Sequence, residues 1–148
     1  MIGINEIVKL LGARYSQPTS TDNKPHQTPA PDATGSASLN QRLLTAVVKG
    51  RTSVALEALA SGANVNTKNT EGMTVLYLAS YRGNLSVVQN LLRRSAKIST
   101  RTNKGFTALM AASQNGHLKV MNALLRNGAK VDVQTNAGAT ALMLAALD

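Results

Sequence analysis

The chain has 148 residues, a formal net charge of +9, no cysteine, no tryptophan and only 3% aromatic residues. This length holds one ordinary domain, or a smaller domain with a tail. The composition excludes disulfide staples, thiolate metal sites and a cysteine nucleophile, and it leaves Leu, Val, Ala and Met to build a core, which suits packed helices.

The opening MIGINEIVKLLG places Ile4, Ile7, Val8 and Leu11 at helical spacing ahead of Gly12, so a short amphipathic helix is expected within residues 1–12. Asn5, Glu6 and Lys9 break its apolar run. No secretory leader is read there, and no apolar run along the chain is long enough to span a membrane. Residues 13–38 contain all 4 prolines and almost no large apolar side chain. They are expected to be a disordered linker, because such a segment buries too little surface to offset its ordering entropy. Residues 1–39 carry Lys9, Arg14 and Lys24 against Glu6, Asp22 and Asp32. The whole positive excess therefore belongs to residues 40–148, whose field attracts acidic partners.

From residue 39 onward the chain repeats itself. Gly50, Gly83 and Gly116 recur every 33 residues, in phase with Leu43, Leu76, Leu109 and Leu142 and with Ala46, Ala79, Ala112 and Ala145. Val54, Val87 and Val120 keep that register, as do Leu59, Leu92 and Leu125. Such a tandem array predicts units too small to bury both faces alone, stacked into one continuous core. In GFTALMAASQNG, Thr107 is placed to cap a first helix that Gly116 stops in the left-handed region. HLKVMNALLRNG then supplies a second helix ended by Gly128, and polar, turn-forming text such as AKVDVQTNAG joins the units as a projecting hairpin. Ser95 stands where the other units have the terminal glycine, so a strained or adjusted turn is expected there.

The pattern G-x-T-x-L-x-x-A-x-x-x-G, followed by valine and then by L-L-x-x-G-A-x-V, resembles the ankyrin repeat over residues 40–148. The resemblance implies an all-α solenoid of helix-turn-helix repeats with projecting hairpin loops. Its units are read as a capping repeat at 39–68, full repeats at 69–101 and 102–134, and an incomplete one at 135–148. The family's T-P-L-H reads Gln41-Arg42-Leu43-Leu44, Thr74-Val75-Leu76-Tyr77, Thr107-Ala108-Leu109-Met110 and Thr140-Ala141-Leu142-Met143, so the family's proline and its tying histidine are both missing. Leu142, Leu144 and Leu147 are expected to lack their usual cover, which a longer chain, a partner or the N-terminal helix would supply.

The resemblance implies a protein-binding scaffold without catalysis, and the residues agree. His117 occupies a turn position where the family places a structural histidine. Two histidines and scattered carboxylates make neither a metal site nor an acid-base pair, and no cofactor or small-molecule site is legible. In such proteins the hairpin tips and the exposed sides of the first helices line a concave face. Carried over, these positions are Lys68, Glu71, Met73, Tyr81 and Arg82, then Arg101, Asn103, Lys104, Phe106, Gln114 and Asn115, with Lys49 in the first unit. Phe106, the sole phenylalanine, stands with Tyr81 and Arg82 as an expected anchor inside a rim of Lys68, Arg101 and Lys104, fitting an acidic partner with an apolar side chain. Nucleic-acid binding through the basic surface is the weaker alternative. A second basic group, Arg93, Arg94, Lys97, Arg126 and Lys130, is read as helix-end charge complementing the helix dipole. An intracellular protein is expected. A Ser-, Thr- and Pro-rich start before such repeats also resembles the layout of bacterial effectors delivered to host cells.

Overall fold

The computed structural model describes residues 33–147. Among these residues seven helices follow one another: α1 (Ala33–Val48), α2 (Thr52–Ala60), α3 (Val75–Arg82), α4 (Leu85–Arg93), α5 (Ala108–Gln114), α6 (Leu118–Arg126) and α7 (Ala141–Ala145). Among the described residues the β-pairing amounts to a single antiparallel bridge, Lys68 with Thr74. The expected N-terminal helix, and residues 13–32 of the expected linker, lie outside the described residues. Residues 33–38 are a correction, because α1 already starts at Ala33. After Pro31 nothing in ATGSASLN forbids a helix, and extending one already held by the burial of Leu43, Leu44 and Ala46 needs no new nucleus.

The helices form two layers. First helices pack side by side, α1 on α3, α3 on α5 and α5 on α7, while α2, α4 and α6 make the second layer. Within a unit, α1 rests on α2, α3 on α4 and α5 on α6. The repeated columns fill the space between. Leu43, Leu76 and Leu109 are at most 2% exposed, and Ala46, Ala79 and Ala112 are equally deep, so small residues let adjacent first helices approach closely. The last unit departs from this pattern: Leu142 and Leu147 are 79% and 69% exposed, whereas Leu144 is buried.

Local chemistry sets the ends of each helix. Thr74, Thr107 and Thr140 occupy the N-caps of α3, α5 and α7, where their hydroxyls accept from the backbone N–H of Tyr77, Met110 and Met143 at 3.0, 3.3 and 3.3 Å. The cap of α5 carries a second bond. The Thr107 N–H donates back to the Met110 sulfur at 3.4 Å, completing a reciprocal cap. Gly83 closes α3 at φ +71, a conformation open to glycine at little steric cost. Ser95 holds φ +61 as the one non-glycine residue with positive φ among the described residues, which identifies the adjusted turn after α4.

Inside α3, Tyr77 and Tyr81 stack with ring centroids 6.4 Å apart. Burial, and then the neighbouring Tyr81, push the Tyr77 hydroxyl up to about 12. Its folded-state pKa lies above the unfolded value near 10, so the contribution of the neutral phenol is complete below pH 10 and is lost as pH rises toward 12. Tyr77→Phe should remove about 2 kcal/mol of the stability loss between pH 10 and 12, read by urea unfolding across that range. Ser95→Gly should relieve the left-handed strain and raise the urea midpoint, by up to about 1 kcal/mol of stability.

Candidate protein-binding site

The hairpins are built the same way in each unit, from one polar residue that closes the turn. Asn69 accepts the backbone N–H groups of Glu71 and Met73 at 3.0 and 2.9 Å. One repeat on, the Thr102 hydroxyl accepts from Phe106 at 3.1 Å, and the Thr135 hydroxyl accepts from Ala139 at 3.1 Å. Gly72, Gly105 and Gly138 turn the chain at φ +74, +85 and +83.

Successive hairpins are then stitched together. The Asn103 N–H donates to the Glu71 carbonyl at 3.0 Å, and the Asn136 N–H to that of Lys104 at 3.1 Å. Their side-chain amides reach the carbonyls of Thr70 and Asn103, 33 residues back, at 3.1 and 2.9 Å. Arg101 crosses the same joint, donating to the Gln134 carbonyl at 2.9 Å. The tips thereby form one strip, with Lys68, Arg101 and Lys104 exposed along it and Glu71 half-buried beside them.

The concave-face residues fall into three groups. Lys68, Arg101, Asn103 and Lys104 are exposed on the strip, with Glu71 half-buried among them. Met73, Tyr81 and Gln114, expected to be exposed, are instead 7%, 8% and 8% accessible. The close approach permitted by the alanine column lets each first helix cover its neighbour's supposedly open side. Phe106 is likewise half-buried and packs against the core, so it is not a projecting anchor.

Lys49, Arg82 and Asn115 form the third group, at the far ends of the first helices. Phe106 immediately precedes the cap of α5, whereas Arg82 is the last residue of α3. A helix of eight residues separates those two levels by about 12 Å. Arg82 therefore does not join the ring around Phe106. Its guanidinium lies against Gly50 of the preceding unit, and the Asn115 amide donates to the Ala111 carbonyl at 2.9 Å. Lys49 remains exposed.

His117 is tied into the scaffold. Its Nε2 is 3.0 Å from the Tyr81 carbonyl of the preceding unit, and its ring fills the space over Gly83, where a Cβ would come within 2.5 Å of Nδ1. The same column carries Asn84 one unit earlier, whose amide donates to the Thr52 hydroxyl at 2.7 Å. Among the described residues no group of His, Asp and Glu could hold a metal ion, and no helix is long and apolar enough to cross a membrane.

A family profile described as ankyrin repeats, in three copies, matches residues 43–135. No curated protein matches the chain. The stitching makes a specific claim on stability. A Cβ on Gly105 would lie 2.6 Å from Asn136 Oδ1, while one on Gly138 would meet nothing within 4 Å. Both glycines have positive φ, so Gly138→Ala should cost about 1 kcal/mol in urea unfolding, and Gly105→Ala at least about 1 kcal/mol more.

Proposed function

We propose that this chain, which belongs to the ankyrin repeat family, is a non-catalytic scaffold that holds an acidic protein against its hairpin strip. Ankyrin repeats generally mediate protein–protein interaction, and that much applies to this chain as a member. The finer reading rests on one observation: Lys68, Arg101 and Lys104 stand on hairpins locked to one another by hydrogen bonds repeating every 33 residues. Cations held on a preorganised strip lose little freedom on binding, so a complementary row of carboxylates gains both encounter rate and register. Half-buried Phe106, beside Lys104, supplies apolar contact at the base of the strip.

The excess charge has a second use, in attraction of nucleic acid, but no aromatic residue stands fully exposed on this face to stack a base. An intracellular site of action belongs to the same proposal, supported by a chain without cysteine. Delivery into a host cell rests on the composition of the first 38 residues alone.

The whole chain should capture a partner whose binding survives nuclease treatment. Lys68→Glu with Lys104→Glu should weaken that binding by about tenfold or more, chiefly in the association rate, and Phe106→Ala should weaken it further. Unchanged affinity in the double variant, or a captured species destroyed by nuclease, would overturn the assignment.

A further inference from the structure

The second-helix layer carries a groove that the hairpin strip does not explain. It lies between α4 and α6 and has a volume of about 540 Å³. Leu85, Leu92 and Ala123 supply its apolar lining, and Arg93, Lys119 and Arg126 its cations. Leu85 and Leu92 are seven apart on α4, while Lys119, Ala123 and Arg126 follow at four- and three-residue steps on α6. Each set therefore forms one stripe along its own helix. The small Ala123 leaves the groove open where a larger side chain would fill it.

The cations are not a by-product of the repeat. At the position of Arg93 and Arg126 the first unit has Ala60, and at that of Lys119 the earlier units have Ser53 and Ser86. Helix-end charge accounts for Arg93 and Arg126, each in the last turn of its helix. It fails for Lys119, which lies in the first turn of α6, where a cation opposes the helix dipole. No carboxylate lines the groove. None of the three cations forms an ion pair among the described residues, whereas on α2 Glu57 meets Arg42 at 3.2 Å.

We propose that this groove is a second docking surface, separate from the hairpin strip, for an acidic amphipathic helix. The helix lays an apolar stripe on Leu85, Leu92 and Ala123 and sets carboxylates against Arg93, Lys119 and Arg126. Two adjacent parallel ridges receive a third helix in this manner. The charge selects acidic partners, and the leucine floor with no aromatic lining selects a protein segment over a nucleic acid.

The test uses a synthetic fluorescein-labelled peptide with leucines at i, i+4 and i+7 flanked by glutamates. It is compared by anisotropy with a peptide of identical composition whose leucines are scattered, and with single-stranded poly-uridine RNA. The patterned peptide should bind the full chain about tenfold or more tightly than the scattered one. Arg93→Glu with Arg126→Glu, and separately Ala123→Leu, should each weaken it about tenfold. Circular dichroism should show both variants folded, and Lys68→Glu with Lys104→Glu should leave the affinity within about twofold. Equal binding of the two peptides, wild-type affinity in both groove variants, preferential binding of RNA, or loss confined to the hairpin variant would each overturn the proposal. Because the hairpin variant is a separate arm, failure here leaves the hairpin-strip reading to its own experiment.

Discussion

The packing of one unit on the next is the constraint from which everything else follows. Apart from α1, the helices run between five and nine residues, lengths at which an isolated helix does not hold in water. Each is held by at least one leucine that a neighbour removes from water, down to Leu144 alone in α7. Alanine at 46, 79 and 112 brings the first helices close enough for that removal to be complete. Without cysteine to brace it, the array is as stable as its contacts make it.

Hydrophobic contact alone would permit the units to slide or swivel, and polar joints prevent this. The Asn103 and Asn136 amides, the Arg101 guanidinium and the His117 ring each reach across one boundary to a backbone carbonyl. Those carbonyls would otherwise be left to solvent at the joints. A row of charges carried on such a frame keeps its spacing, and that separates a recognition surface from a merely basic one. The same frame sets the outer groove, since two second helices held side by side define a channel that the small Ala123 leaves open.

Much of this is legible in the sequence. In-phase columns of glycine, leucine and alanine carry the period, the helix pairs and the stacked core, because each column has one physical duty. Thr107 as a cap and Ser95 as an adjusted turn were readable for the same reason, being local backbone requirements. The depth of side chains at variable positions was not readable. Met73, Tyr81 and Gln114 occupy sites where the repeat leaves residue choice free, yet the close spacing of these particular helices buries them. The Met110 sulfur as the acceptor that completes the α5 cap was equally hidden, since a thioether is a weak acceptor that pattern reading does not credit. The groove is half visible in the sequence: its arginines fit helix-end charge, whereas the juxtaposition of Lys119 with them depends on how α4 and α6 pack.

The contact between His117 and Gly83 reaches beyond its own joint. His117 needs a glycine and the Tyr81 carbonyl in the unit before it, Arg82 lies against Gly50, and Arg101 needs a carbonyl and an amide in the hairpin that follows. The hairpin stitching by Asn103 and Asn136 is common to both joints, but the contacts at the helix ends are not. There each boundary has its own lock and key, so the order of the units is written into those contacts. Rearranging these repeats in a reshuffled gene would keep the hairpin stitching and still leave mismatched seams at the helix ends. Duplication followed by this kind of private fitting turns interchangeable copies into one heritable sequence of parts.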